Sequence, residues 1–344
     1  MCARLVRSHR LRDHLLGSRI ESGSPRLQIG GEGPRRGYTF AVLLFLTGAS
    51  GYIGSRVGER FAARSRRVRS LTLPDDPVDP GNIFPCQVVR GDLTLPGSFD
   101  AYGEGVNAIV HAAAAMPPAS AARIRAVNVE GTANVIAFAK RWKIRRLVYL
   151  SAAPPRPDAD DAYAASKVEA ERLVVESGLD YTVLRLALVY GPGGARPFRS
   201  LVSRVRRIPL VYPIAGRGRS RLQPVYIGDV VGAVELVLST AAAARKTYNV
   251  SGGTTVDMRE LVDRIAHAEG LHRLRVHLPM ALCQLASRTL SRMLPNAAYT
   301  PDALLGLAED ADLDHTRFRE ECGYAPLTLE QGFARVFGGG EAVR

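Results

Sequence analysis

Cysteine is scarce in this chain and scattered. The four cysteines, Cys2, Cys86, Cys283 and Cys322, make no C-x-x-C pair and meet no histidine at ligand spacing. That argues against a disulfide scaffold and against a zinc site, so no metal is expected, and reduced thiols point to a cytoplasmic protein. Long apolar runs are missing too. Nothing approaches the ~18 consecutive apolar residues of a membrane span. Acid is in deficit, with 33 Asp and Glu against 46 Lys and Arg and a net charge of +13. Such a surplus suits nucleic acid or anionic lipid. However, no basic strand is interleaved with aromatics and no helix-turn-helix pattern occurs, so no nucleic-acid partner is expected.

Part of the positive charge is local. Residues 1–40 hold eight arginines against Asp13, Glu21 and Glu32, with little apolar periodicity and a Gly30-Gly31-Glu32-Gly33-Pro34 stretch. Three readings of this extension stay open: a disordered basic tail, an Arg-rich targeting segment, or a mis-called start. The organised chain begins at residue 41.

Glycine, by contrast, is plentiful, and three glycines fall in one telling place. Val42-Leu43-Leu44-Phe45-Leu46 is an apolar run that ends in Thr47-Gly48-Ala49-Ser50-Gly51-Tyr52-Ile53-Gly54, followed by a helical pattern. The run suits a strand buried on both faces. Gly48 allows a tight turn, Gly51 lets backbone approach a pyrophosphate, and Gly54 lets the helix pack on the strand. The free N–H groups at the helix start then face the phosphates. Together, strand, glycines and helix outweigh a plain turn.

From residue 41 onward, strand patterns at 42–46, 67–72, 86–90, 107–111, 145–150 and 181–187 alternate with helical patterns at 52–64, 120–141 and 161–177. That alternation predicts an α/β fold, a Rossmann-type doubly wound parallel sheet. A nucleotide-binding domain spans 41–190, with returns near 224–250. A smaller C-terminal substrate lobe is drawn mainly from 191–335. Residues 192–224 look irregular. A strand is expected at 246–250, a helix at 258–269 capped by Asp257 with Glu260, and an amphipathic stretch at 279–294.

Tyr163-Ala164-Ala165-Ser166-Lys167 opens the helix after the strand that ends at Ser151. Residues four apart share a helix face. A tyrosine titrates near pH 10, and a neighbouring ammonium lowers that value by stabilising the phenolate. Tyr163 is therefore a candidate general acid/base, and Lys167 a candidate for tuning it and for holding ribose.

On these residues, together with Gly91-Asp92-Leu93-Thr94, His111-Ala112-Ala113-Ala114, Asn128-Val129-Glu130-Gly131-Thr132, Leu184-Arg185, Val189-Tyr190-Gly191-Pro192-Gly193 and Pro224-Val225-Tyr226-Ile227-Gly228-Asp229-Val230, the chain resembles the extended short-chain dehydrogenase/reductase superfamily, the NAD-dependent epimerase/dehydratase family. The likeness runs from about residue 42 to 335. It implies that Gly48, Ser50, Gly51, Tyr52, Ile53 and Gly54 hold the dinucleotide, that Asp92 and Leu93 line the adenine pocket, and that Ala112, Ala113 and Ala114 pass under the dinucleotide. It also implies that Asn128 supports the active site. Helices 120–141 and 161–177 are where such proteins form homodimers.

The resemblance has a gap. The family's catalytic Ser/Thr stands just past the fifth strand, and here those positions are Ala152 and Ala153. Ser151 is the candidate substitute. Together with a short connection to Tyr163, this makes the chain similar to the atypical branch that includes the NAD(P)H-binding accessory subunit of respiratory complex I and related bacterial reductases. The expected function is an NAD(P)-dependent oxidoreductase or epimerase acting at a hydroxyl or carbonyl carbon of a small molecule. The alternative is a non-catalytic NAD(P)H-binding accessory or scaffold protein.

Cofactor choice turns on the tip of the second strand. Asp75, 21 residues past Gly54, favours NAD over NADP, since an acid there suits a free ribose hydroxyl. For substrate, residues 196–221 hold eight arginines and no acid. Arg219 or Arg221 can grip a phosphate as a fork. The same segment also fits a solvated loop or, with 279–294, a peripheral contact with anionic lipid.

Overall fold

The computed structural model describes residues 43–153, 161–208, 210–272, 274–279, 282 and 313–338. The N-terminal extension, the stretch 283–294 and most of the connection from Ala153 to Asp161 lie outside the described residues.

The centre is a seven-stranded sheet. Its strands are β1 (Leu43–Thr47), β2 (Arg67–Thr72), β3 (Gln87–Arg90), β4 (Val106–His111), β5 (Arg146–Ala152), β6 (Asp180–Leu186) and the later Lys246–Val250. Between β6 and that last strand come the two-residue strands β7 (Val189–Tyr190), β9 (Arg221–Leu222) and β10 (Val225–Tyr226), with β8 (Val211–Ala215) among them, so Lys246–Val250 is β11. The order is β11-β6-β5-β4-β1-β2-β3, and every pairing is parallel. Chain order reverses between β1 and β4, which opens a crevice at the carboxyl ends of these two strands.

Helices cover both faces, as strands buried on two sides require. On β1, Leu44 and Leu46 enter one apolar cluster with Val57 and Phe61 of α1 (Tyr52–Ala63) and with Val230, Val234 and Val237 of α6 (Ile227–Ser239). Leu43 and Phe45 enter the opposite cluster with Val135 and Phe138 of α3 (Gly131–Arg141) and Ala170 and Val174 of α4 (Ala162–Val175). Arg60 of α1 and Arg64 at its C-terminal cap close on the buried Glu235 of α6 at 2.9 and 3.0 Å, tying the first helix to α6.

The helix expected at 120–141 is in two phases. α2 (Ala121–Arg125) passes through a π turn at Ala126–Glu130 before α3 begins. The sequence period does not show this slip, because apolar residues continue on both sides of it. The expected strands and remaining sheet helices fall within two residues of their predicted bounds, a normal margin for helix and strand ends.

The segment 192–224 departs from the expectation of irregular structure. Arg196–Arg207 is a helix, α5, with Phe198, Leu201 and Val205 buried and the arginines around them. Spacings of three and four between the buried residues give the helical stripe. The high arginine content hides it from a reading by composition. α5 packs with α7 (Met258–Ala268) around Tyr190, Phe198 and Leu261, joined by α9 (Leu329–Phe337) through Phe333. Two further strands, β12 (Val256–Asp257) and β13 (Leu274–Leu278), pair with β9 and β8. α8 (Thr316–Cys322) lies before α9. Asp257 caps α7 as expected, accepting from Glu260 N–H at 2.9 Å. The Glu260 carboxylate turns instead to Arg264 at 2.8 Å, so the reciprocal half of that box does not form. Among the described residues no helix is long and apolar enough to cross a membrane.

Candidate active site

The glycines after β1 leave space that no side chain can take. Gly48 sits at φ +74°, and a Cβ there would stand 2.6 Å from Ala113 N and 2.8 Å from Ala112 C. A Cβ on Gly54 would come to 2.0 Å from the Gly48 carbonyl oxygen. Gly51 is exposed, and a Cβ there would meet only that same carbonyl, at 3.2 Å. The loop thus keeps an open face above Gly51. α1 starts there with no side chain capping its first N–H groups. Uncapped N–H groups, the positive end of a helix and a face without Cβ atoms make a cradle for a pyrophosphate. The residues present fit a dinucleotide.

Ala112 and Ala113 lie across this loop, with Ala112 N donating to Thr47 O at 3.3 Å and Ala113 N to Thr47 Oγ1 at 3.3 Å. Ala114 beyond them is exposed. The Tyr52 ring reaches toward the 191–194 loop, where a Cβ on Gly191 would meet its hydroxyl at 2.8 Å. Burial pushes the Tyr52 phenol up to about 12. Ile53 packs partly buried against the sheet cluster.

At the tip of β2 the structure brings in Asp76, the neighbour of the expected acid. Asp75 is exposed. Asp76 accepts from Ser50 Oγ at 2.7 Å, Thr72 Oγ1 at 2.9 Å and Val78 N–H at 2.9 Å. Burial opposes its ionisation, but these bonds and Arg90 outweigh burial and hold the carboxyl below its usual value. Leu73 to Asp76 form a turn, with Asp76 N–H donating to Leu73 O at 3.3 Å, and this turn, which counting from Gly54 does not reveal, brings Asp76 to the glycine loop. Asp92 and Leu93 follow β3. Asp92 Oδ1 accepts from Thr94 N and Oγ1 at 2.8 and 2.9 Å, and Leu93 is buried with its carbonyl taken by Asn134 Nδ2 at 2.7 Å.

Beneath the crevice runs a buried polar chain. Thr132 Oγ1 gives its proton to Asn128 O at 2.6 Å, so it can only accept from His111 Nε2, 2.9 Å away. His111 Nδ1 therefore accepts from Thr47 Oγ1 at 2.7 Å. Both ring nitrogens are committed, and burial, helped by Lys167, pushes the imidazole down to about 3. His111 is a neutral packing residue, as its place on β4 suggests. Asn128, in the π turn, clamps the loop after β4. Its Oδ1 accepts from Ala115 N at 2.7 Å, and its Nδ2 donates to Ala115 O and to Ser166 Oγ, each at 2.9 Å. Ser166 in turn donates to Tyr163 O at 2.6 Å.

Tyr163 and Lys167 are set by α4. Asp161 caps that helix, accepting from Tyr163 N at 2.8 Å and Ala164 N at 3.1 Å. Tyr163 is half-buried, and burial with the nearby Asp161 pushes its phenol up to about 12. Lys167 does not offset that rise, because its ammonium is turned inward. Lys167 is 4% exposed, donates to Leu150 O at 2.7 Å and sits 4.2 Å from the Tyr149 ring centroid. Burial drags its pKa down to about 7, opposed by Glu171. Tyr163 is therefore a neutral phenol, the form that donates a proton. Ser151 is buried within β5, level with Arg185 of β6. Ala152 ends the strand and Ala153 follows it, both half-buried.

Arg219 and Arg221 are exposed, Arg219 in the turn after β8 and Arg221 on β9 opposite Asp257. Two site residues escaped the sequence reading. Asp76 is one; its signal is the Thr72 hydroxyl four residues before it. Tyr149 is the other, and its alternation with Leu147 on β5 was the available sign that it faces α4.

A family model described as the NAD dependent epimerase/dehydratase family matches residues 44–251. The 2-alkyl-3-oxoalkanoate reductase of Stenotrophomonas maltophilia (strain K279a) is 27% identical over 85% of this chain and 98% of its own length. The UDP-glucose 4-epimerase of Vibrio cholerae is 25% identical over 85% of this chain and 94% of its own. In three dimensions the chain is similar to DesIV, the dTDP-glucose 4,6-dehydratase of Streptomyces venezuelae solved with NAD bound. The TM-score is 0.68 at 22% identity, covering 86% of this chain and 96% of that one, and shows the shared fold.

Proposed function

Because the chain belongs to the NAD dependent epimerase/dehydratase family, and relatives across nearly its whole length are named reductases and epimerases, we propose that it is an NAD-dependent oxidoreductase that interconverts a ketone and a secondary alcohol. The observation that carries this reading is the pair Tyr163 and Lys167 on α4, with Lys167 bonded to Leu150 of β5, the strand next but one to β1, which feeds the glycine cradle.

The nicotinamide, when bound, exchanges a hydride with the carbonyl carbon. The chain's own residues do the rest. Gly48, Gly51 and Gly54 give room for the pyrophosphate at the start of α1. Asp76, pinned between Ser50 and Thr72, meets the adenine ribose as an anion. That favours NAD, since a 2′-phosphate would face a like charge. Tyr163 donates its proton to the carbonyl oxygen as that oxygen gains charge, and takes it back in the reverse direction. A phenol held neutral suits donation. Lys167, one turn on along the same helix and turned toward β5, donates to the ribose and not to Tyr163. With Ala152 and Ala153 in place of a hydroxyl, Ser151 is the nearest remaining donor on β5. Arg219 and Arg221 border the substrate, which fits a ketone carrying a carboxylate or phosphate.

The test is Tyr163→Phe with NADH titrated by fluorescence and turnover followed on a panel of 3-oxo acids and sugar nucleotides. Loss of turnover by about 10²–10⁴-fold with NADH affinity unchanged supports the reading. NADH binding with no turnover of any carbonyl by the parent enzyme would favour an accessory, non-catalytic role, the direction in which Ala152 and Ala153 point.

A further inference from the structure

Lys167 is a buried charge, 4% exposed on α4, with no ion-pair partner within salt-bridge distance among the described residues. It projects from α4 into a layer whose other members are apolar or already committed. From β4, both nitrogens of His111 are bonded to Thr47 and Thr132. On its own helix, Glu171 stands one turn on and is held by Arg185 of β6, whose Nε donates to its two oxygens at 3.0 and 3.1 Å. Tyr163, one turn back, is a neutral phenol. From β5 come the Leu150 carbonyl and the face of Tyr149. An ammonium has three N–H groups. Leu150 O takes one and the Tyr149 ring faces another, so one is left for a ligand.

Tyr149 itself is 1% exposed. Its hydroxyl makes no hydrogen bond. The phenol oxygen thus explains nothing about the residue. The ring does: a cation 4.2 Å from an aromatic centroid, out of water, is held by the negative face of the ring.

We propose that Tyr149 is a positioning residue for Lys167, its ring face holding the buried ammonium so that one N–H remains for the cofactor. This rests on the reading of Tyr163 and Lys167 as the working pair. The ring and not the hydroxyl carries the effect, so the aromatic quadrupole is what the substitution series must vary.

The experiment measures NADH affinity by fluorescence between about pH 6 and pH 9 for four proteins besides the parent. They are Tyr149→Phe, Tyr149→Leu, Tyr149 replaced by pentafluorophenylalanine, and Lys167→Met. Tyr149→Phe should match the parent. The pentafluoro ring has nearly the same shape and an inverted quadrupole, so it keeps the packing while repelling the cation. It should weaken NADH about tenfold at neutral pH, and the alkaline loss of affinity should begin about one pH unit lower. Tyr149→Leu should behave likewise if it folds. The role of Tyr149 is overturned if the pentafluoro protein keeps the parent's affinity and pH profile, or if Tyr149→Phe shifts as far as the pentafluoro ring. Lys167→Met separates the two layers of argument: if it binds NADH as the parent does, the reading of Lys167 fails and the proposal with it.

Discussion

Replacing Lys167 by Met is expected to give a protein that is inactive and more stable. The ammonium is 4% exposed, and burial lowers its pKa from 10.5 to about 7. At about 1.4 kcal/mol per pH unit, that fall corresponds to about 5 kcal/mol against the charged form. Losing the bond to Leu150 O leaves that buried carbonyl without its partner, at about 1–3 kcal/mol. Methionine is one atom shorter but carries no charge and fills most of the same space, so a net gain of about 2–4 kcal/mol at low pH follows. The pH dependence has a definite sign. Between about pH 7 and pH 10 the unfolded chain holds the lysine proton and the folded one releases it, so parent stability rises with pH across that window. Urea unfolding of both proteins at about pH 6.5, 8 and 9.5 tests this. The variant should lead most at the lowest pH, and the lead should shrink as pH rises. A variant less stable at all three, or a lead that does not change with pH, would refute the account of Lys167 as a strained charge kept for function.

Two further outcomes are expected. Asp76→Ala frees Ser50 and Thr72 and should weaken NADH about tenfold, one hydrogen bond to a charged group, while narrowing the preference over NADPH. Because the Asp76 carboxyl is held below its usual value, its contribution to stability is present above about pH 4 and lost as pH falls through its folded pKa, so the variant should lose less stability on acidification than the parent. Gly54→Ala should cost about 1–3 kcal/mol or more, since its Cβ meets the Gly48 carbonyl at 2.0 Å, backbone against backbone. NADH binding that survives in folded Gly54→Ala would contradict the close helix–strand approach.

The sheet was legible because its central strands are buried on two faces, and a continuous run such as Leu43–Thr47 announces that. Glycine positions were legible for a similar reason: each has a local steric cause. What sequence reasoning missed depends on contacts between distant segments. Asp76 rather than Asp75 serves the glycine loop because the turn from Leu73 to Asp76 brings it there, and only the bonds to Ser50 and Thr72 reveal it. α5 was hidden because arginines on its outer side outnumber the three residues that anchor it. The inward turn of Lys167 was hidden as well. Spacing puts it on the face of Tyr163, but the carbonyl of Leu150 and the ring of Tyr149, both on another element, decide where its ammonium goes.

The π turn at Ala126–Glu130 bears on how this helix can change over generations. Such a turn amounts to one residue inserted into an ordinary helix. Removing one codon there would restore regular winding, yet it would rotate everything before it by about 100° relative to α3. Asn128 would leave Ala115 and Ser166, and Arg125 would leave its partner Glu169. Point substitutions on either side can drift one at a time, whereas the length of this segment is fixed in a single step.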